Sequence, residues 1–370
     1  MQITRVEIRK LRLPMIRSFV TSYGVVDAKD TLITKLYTAD GLVGYGESPA
    51  LSAPFFNSET TDTCLYMVRQ FIAPALVGKH LTNIGEFVAA LPPLQDVYTA
   101  KTGPECAFWH LLAQRDNVSL KELFGGTREE IAVGESIDIK PLEETLQEIA
   151  QRLSEGYRRI KVKIEPGWDF EPLAAIREQW PDITLTADAN ASYRLRLHER
   201  ELRALDQFEL AMVEQPLAAH DLVDHARLQK LIRTPVCLDE SIQQLEDMRT
   251  AHALGACKIV NLKPMRVGGI YECMKIHDFA AEHDMSVWCG GMFETGIGRA
   301  FNIALASKKH FDHPADMSPY NLFYAEDLLE SSFTVKQNGC IDVPNTPGLG
   351  YRISDRQIDK FTLEKAIVPA

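Results

Sequence analysis

LAMVEQPLAAHDLVDHARLQKLIRTPVCLDES, from Leu210 to Ser241, contains one complete repeat of the fold. LAMVEQP is a short apolar run that closes on a carboxylate, Glu214. LVDHARLQKLI then spaces its apolar residues three and four apart, the pattern of a helix with one buried face. PVCLDE is a second apolar run, and it also closes on a carboxylate, Asp239. Two short strands joined through a helix are parallel, because a connection of this length is a crossover and not a hairpin.

The alternation continues in both directions. SIDI, RIKVKI and ITLTADAN precede it, and KIVNLK and SVWCGG follow. Amphipathic segments lie between them: LEETLQEIAQRLSEG, EPLAAIREQW, LEDMRTAHALG, YECMKIHDFAAEHD and TGIGRAFNIALAS. Seven or eight such units predict an α/β fold closed into a barrel rather than an open sheet. The texture before about Ile131 differs. ITRVEIRKLRL alternates, DTLITKLYTADGLVGYGES reads as two strands meeting at a hairpin around Ala39, Asp40 and Gly41, and helical periodicity follows in SETTDTCLYMVRQFIAPAL and PECAFWHLLAQRDN. The expected organisation is an α+β domain over residues 1–126, a barrel over 127–320, and a segment 321–370 that loses the repeat and packs back on the first domain.

The intervals between charged residues carry the functional reading. Lys163, Asp188, Glu214, Asp239 and Lys263 end successive strands at spacings of 25, 26, 25 and 24 residues. One βα unit separates each from the next, so all five belong on one barrel rim, where barrels of this kind place their active sites. Asp188, Glu214 and Asp239 on neighbouring strands repel one another unless a cation sits among them. Three oxygen donors without Cys or His suit a hard ion, Mg²⁺ or Mn²⁺. Any one of them alone reads equally well as a helix cap or an Asx turn; three in register do not. Lys161 and Lys163 stand at i and i+2 and face the same side. Crowding next to each other and a metal is expected to depress their pKa values and to make a neutral amine available as a base. Lys263, at the end of KIVNLK, lies across the ring, so a bound carboxylate has an amine on each face of its α-carbon.

Bulk properties exclude several classes. The chain has 370 residues, 45% of them hydrophobic and 25% charged, with net charge −11. That balance argues against a nucleic-acid or anionic-membrane surface. No apolar stretch approaches the ~18 residues of a membrane span, and the amino terminus, MQITRVEIRK, has no apolar signal core. Seven cysteines without a CxxC pattern read as free thiols in a reducing cytoplasm. A Schiff-base aldolase barrel would explain Lys263 but leaves three aligned carboxylates without a purpose. A non-catalytic barrel serving as scaffold or binding module is the other rival, and it does not require a complete set of charged strand ends.

With IKVKI, TADAN, VEQP, CLDES, NLKPMRVGG and GGMFETGIGR on the page, the chain resembles the enolase superfamily, whose lysine base and Mg²⁺-stabilised ene-diolate are well known. More narrowly it is similar to the o-succinylbenzoate synthase and N-succinylamino acid racemase group. The resemblance covers the whole chain and implies a modified TIM barrel, (β/α)7β, under an N-terminal α+β capping domain. It implies Asp188, Glu214 and Asp239 as ligands of Mg²⁺, with Mn²⁺ as a substitute, and Lys163 and Lys263 as the catalytic pair. Lys161 would bind the substrate carboxylate or tune Lys163. Asn190 and Glu240 would lie just behind these groups, Asn190 also within reach of substrate, and Arg266 would tune Lys263. Phe19 and the stretch from Ala50 to Phe56 match cap loops that close over the pocket, while Ser136, Gly291, Met292 and Phe293 match its walls. The implied reaction is loss of water from a succinyl-hydroxycyclohexadiene carboxylate in menaquinone biosynthesis, with racemisation of N-succinylamino acids as the alternative at the same site. The implied partner is a small carboxylate with a succinyl arm, and a homo-oligomer is the default assembly. Dipeptide epimerases and muconate cycloisomerases share the two-lysine ring, though GGMFETGIGR replaces the DxD-type ending of the epimerases.

Overall fold

The computed structural model describes residues 1–21 and 24–370. Strands β1 (Ile3–Thr21), β2 (Gly24–Thr38) and β3 (Val43–Ser48) form an antiparallel sheet, with Ile8 opposite Thr34 and Leu36 opposite Gly44. The expected turn falls at residues 39–41, where Gly41 adopts φ +88°. Helices α1 (Thr61–Met67) and α2 (Ala73–Leu76) run together through a π-helical turn at Val68–Ile72, followed by α3 (Ile84–Ala90), α4 (Thr99–Asp116) and α5 (Leu120–Leu123). Helix α4 lies against β3 at glycine distance. A Cβ on Gly44 would stand 2.1 Å from the Ala107 carbonyl oxygen, and one on Gly46 2.1 Å from that of Gly103. The GYG of the β3 strand is what permits this contact.

The barrel comprises β4 (Glu130–Ile137), α6 (Leu142–Ser154), β5 (Arg159–Lys163), α7 (Phe170–Gln179), β6 (Thr184–Asp188), α8 (Leu195–Ala204) and β7 (Val213–Glu214). It continues with α9 (Leu222–Leu231), β8 (Val236–Leu238), α10 (Leu245–Leu254), β9 (Ile259–Leu262), α11 (Pro264–Val267), α12 (Ile270–Glu282), β10 (Ser286–Cys289), α13 (Gly296–Ala306) and β11 (Ala315–Asp316). The strands pair in parallel in the order β10-β9-β8-β7-β6-β5-β4-β11. A parallel bridge from Val287 to Phe311 brings the approach to β11 beside β10, so the ring of eight strands is nearly closed. The (β/α)7β barrel and its antiparallel cap are as the sequence predicts.

Two elements go beyond the expectation. The eighth strand, β11, is two residues long and offers no periodicity to read. Helix α8, RLRLHERELRA with its N-cap, buries only Leu195 and Leu202 in a charged sequence, too thin a stripe to stand out. The carboxy-terminal segment also does more than return to the cap. After α14 (Asp355–Phe361), β13 (Thr362–Pro369) pairs antiparallel with β1, but β12 (Cys340–Asp342) pairs antiparallel with barrel strand β4.

Buried cap carboxylates tie the two domains together. Glu47 of β3 accepts from Thr295 N at 3.0 Å and Gly298 N at 3.0 Å at the start of α13. Glu105 of α4 accepts from Tyr271 N at 2.8 Å at the start of α12. Anions at helix N-termini meet unpaired N–H groups and the positive end of the dipole. The cap is thereby fixed over the carboxyl ends of the barrel strands. All seven cysteines are free, and no helix among the described residues is long and apolar enough to cross a membrane.

Candidate active site

Alternation along β5 sends Lys161 and Lys163 into the barrel mouth, both buried. The Lys163 amine lies 2.7 Å from Asp188 Oδ2 and donates to Asn190 Oδ1 at 2.7 Å. Lys161 reaches Asp316 Oδ2 at 2.6 Å, Glu214 Oε2 at 3.1 Å and Asp188 Oδ2 at 3.4 Å, over the ring of Trp288. On the far side, Lys263 lies 2.6 Å from Asp239 Oδ2 and 4.6 Å from the centroid of the Phe56 ring. Arg266 pairs with Asp239 Oδ1 and donates from Nε to the Ile242 carbonyl at 2.6 Å. The turns after β6 and β7 hold this ring in place. Asn190 and Gln215 take left-handed backbone, φ +42° and +36°, and Gln215 Oε1 accepts from Asp239 N at 2.9 Å. Asn190 Nδ2 donates to Glu240 Oε1 at 3.1 Å.

The electrostatics correct one expectation. Burial alone would lower the pKa of Lys161, but Asp316, Glu214 and Asp188 outweigh it and hold the amine charged. For Lys263 burial is likewise outweighed, by Asp239 and Glu214, and its pKa also rises. Lys161 is therefore not depressed as its crowding predicts, because it faces carboxylates of β6 and β7 and because Asp316 adds one that the strand series does not reveal. Among the acids, burial opposes ionisation throughout. Lys163 and Lys161 nevertheless pull Asp188 below its ordinary value, and Lys263 and Arg266 do the same for Asp239. Glu214 has less compensation: burial and the Asp188 charge push it up to about 7. Glu240 goes up to about 8, from burial and the charges of Asp239 and Asp188.

Asp188, Glu214 and Asp239 form an all-oxygen donor set with too little positive charge to keep every acid ionised, and Glu240 Oε2 is buried beside them without a hydrogen-bond partner. That chemistry fits a hard divalent cation. Among the described residues no three such side chains stand as a ready-made metal cage; their oxygens face the side-chain nitrogens of Lys161, Lys163 and Lys263 instead.

Above the ring opens a cavity. Lys161, Lys163, Lys263, Asn190, Ser136, Phe19, Gly291 and Met292 all line it, as do Phe56 and Phe293. Ser136 Oγ is buried there without a partner. Asp188, Glu214, Asp239, Glu240 and Arg266 lie beneath the amines rather than on the cavity wall. Three residues of the site escape the strand-end series. Asp316 sits on the two-residue β11. Asn261, whose Nδ2 donates to Glu214 Oε1 at 2.6 Å, stands two residues before Lys263, so alternation along β9 was a usable signal. Phe323 joins Phe19 and Phe293 in an aromatic cluster, with ring centroids 5.0 to 6.3 Å apart, and follows the end of the repeat.

A capped (β/α)7β barrel with amines on two sides of a carboxylate ring defines the class. Residues 3–125 match the mandelate racemase / muconate lactonizing enzyme N-terminal domain, and residues 144–357 the enolase C-terminal domain-like family. The chain belongs to the enolase superfamily, in the group that holds o-succinylbenzoate synthases and N-succinylamino acid racemases. It is 44% identical to an o-succinylbenzoate synthase of Geobacillus kaustophilus over 96% of this chain and 94% of that protein. It is 39% identical to an N-succinylamino acid racemase of Thermus thermophilus, over 98% of each. A crystal structure of an enolase superfamily member from Listeria innocua superposes with TM-score 0.95 at 36% identity, covering 100% of this chain and 99% of that one.

Proposed function

We propose that the chain is an o-succinylbenzoate synthase, which removes water from a succinyl-hydroxycyclohexadiene carboxylate in menaquinone biosynthesis. The observation that carries this reading is the pair of amines, Lys163 on β5 and Lys263 after β9, lining one cavity above Asp188, Glu214 and Asp239. These carboxylates would hold Mg²⁺, or Mn²⁺ in its place. When bound, the ion supplies positive charge that offsets the carboxylates and stabilises negative charge on the substrate carboxylate as its α-proton leaves. Lys163, as the neutral amine, takes that proton and returns it to the departing hydroxide. Lys263, ion-paired to Asp239, keeps its positive charge against the developing dianion, and Arg266 fixes Asp239 from behind. Phe19 and Phe56 from the cap exclude water over the reacting carbon.

Racemisation of N-succinylamino acids is the second reading, supported by the placement of an amine on each side of the same cavity. Both substrates share a carboxylate, an acidified α-hydrogen and a succinyl arm. Assaying the two reactions side by side with metal-loaded protein tests the reading: synthase turnover well above racemase turnover is expected, and absence of dehydration would overturn it. Seven free thiols, six of them buried, support a reducing cytoplasm, and a homo-oligomer is proposed for the assembly. Thiol titration without reductant should return all seven, and light scattering should give a multiple of the 41.6 kDa chain; a lower thiol count or a monomer mass would contradict these two points.

A further inference from the structure

Lys29, on β2 of the cap, is a lysine with no solvent exposure, and it stands apart from the charged strand ends of the barrel. Its Nζ donates to the carbonyl oxygens of Pro49 at 2.9 Å, Ala50 at 3.3 Å and Met292 at 3.4 Å. The first two follow β3 of the cap, and the third follows β10 of the barrel. An ammonium has three N–H donors, and here they reach oxygens of both domains. Burial disfavours the charged amine and brings its pKa down to about 8, against the pull of Glu47 and Glu294. Burying a cation is costly, and hydrogen bonds to every donor offset that cost. Packing alone asks only for an aliphatic chain of this length. The charge serves the three carbonyls, which it gathers around one point.

Both segments held this way lead to walls of the cavity. Ala50 opens the stretch that ends at Phe56, and Thr61 anchors its other side, with N donating to the Leu51 carbonyl at 2.9 Å. Leu51, Met265 and Met292 form one apolar cluster against which Phe56 packs. Phe56 in turn covers Lys263, 4.6 Å from its amine, and both Phe56 and Met292 line the cavity. Met292 is gripped at both ends of its backbone: Lys29 binds its carbonyl, and its N–H donates to Glu294 Oε2 at 2.8 Å. We propose that Lys29 is a positioning residue, which pins Ala50 of the cap to Met292 of the barrel and so sets Phe56 and the Met292 wall against Lys263 and the substrate. It does not line the cavity itself and acts only through these two segments. This deepens the function proposed above and rests on it for the reaction that the walls enclose.

The test is Lys29→Met, which keeps an aliphatic stem and removes the charge and the donors, read by amide hydrogen exchange and by steady-state kinetics of metal-loaded protein. Exchange should quicken in residues 49–56 and 291–294 and stay unchanged across 269–272, where Glu105 makes an independent joint between the domains. Charge-assisted hydrogen bonds shift the balance between pinned and released walls by roughly 10- to 100-fold. A substrate that binds only the pinned form then shows a KM raised by up to that factor. On whichever of the two substrates turns over, kcat should stay within about threefold, since no reacting group is touched. An unchanged KM overturns the proposal, as does exchange that quickens equally at both joints, the mark of general loosening. If the methionine variant does not fold, Lys29→Gln, which keeps two N–H donors, carries the same readouts with smaller effects. Exchange needs no turnover, so release confined to the two segments without dehydration or racemisation leaves the role of Lys29 standing and removes the reaction. Turnover with an unmoved KM and exchange pattern does the reverse.

Discussion

Replacing each lysine of the pair by arginine separates their roles. In the structure Lys163 is held 2.7 Å from both Asp188 Oδ2 and Asn190 Oδ1, and Lys263 is held 2.6 Å from Asp239 Oδ2. Arginine preserves the positive charge that each carboxylate needs, so the ring is not left with an unpaired buried acid. A guanidinium stays protonated at working pH and therefore cannot accept the α-proton. Loss of a general base costs about 10²- to 10⁴-fold, or ~3 to 5 kcal/mol of barrier. Lys163→Arg should lose dehydration by that factor, and with it α-proton exchange of one enantiomer of an N-succinylamino acid. Lys263→Arg should lose racemisation and exchange of the opposite enantiomer, while dehydration, which uses Lys263 for its charge, falls much less.

The assay is proton NMR in deuterium oxide, following the α-hydrogen of each enantiomer separately with metal-loaded protein. Exchange is a better readout than turnover because the bulkier guanidinium under Phe56 will slow every step of the Lys263 variant. The result that refutes the reasoning is either variant still exchanging both enantiomers. One amine would then serve both faces of the α-carbon, and the placement of amines on two sides of the cavity would have no catalytic meaning.

Chelation followed by metal return should abolish and restore activity, and Asp239→Asn should do more than weaken metal binding: it removes the anion shared by Lys263 and Arg266, at a cost of about 3 kcal/mol in urea unfolding. An Asp239→Asn protein as stable as the native one would contradict the pairing. Gly269→Ala should lose about 3 kcal/mol, because φ is +132° and the new Cβ would stand 2.0 Å from Glu105 Oε2; a change below 1 kcal/mol would refute the close approach. His110, buried with Nδ1 accepting from Tyr45 N at 3.2 Å, has its pKa lowered by burial from 6.5 to about 4. Between these values the unfolded chain binds the extra proton, so its contribution of about 3 kcal/mol is complete above pH 6.5 and lost as pH falls towards 4. His110→Gln, which keeps the acceptor for Tyr45, should flatten the stability difference between pH 7.5 and pH 4.5 by about that much, and an unchanged difference would show that His110 titrates normally.

What the sequence discloses follows from how each element is stabilised. The rim residues are legible because barrel strands end at nearly constant intervals and each of these ends carries a charge. Lys163, Asp188, Glu214, Asp239 and Lys263 need nothing more than counting. Asp316 is not legible that way: its strand has two residues and is held by neighbours at Val133 and Gly134 rather than by any pattern of its own. Because Asp316 was hidden, so was the sign of the Lys161 shift, which depends on the number of carboxylates that face it. Helix α8 was implied by the strands on each side of it, but two buried leucines in a charged run are a weak stripe.

The same carboxylates that would hold the cation also set the amines. Asp188 at the end of β6 and Asp239 just after β8 each take one lysine of the pair, and Glu214 on the strand between them takes Lys161 and Asn261. A buried ammonium is stable here only because its neighbour on the next strand is an acid, so amine position is fixed by strand order and not by the flexible lysine stem. This constrains how the site can change. Exchanging one acid for a neutral residue would not simply weaken a proposed metal ligand; it would also release a particular amine, Lys163 for Asp188 and Lys263 for Asp239. On the proposed mechanism, dehydration with a single proton carrier depends on the Asp188 side for its base and on the Asp239 side for charge alone. Racemisation needs both sides held equally well. Arg266, which grips Asp239 from beneath and is 1% exposed, therefore bears most heavily on the reaction that needs Lys263 as a proton carrier.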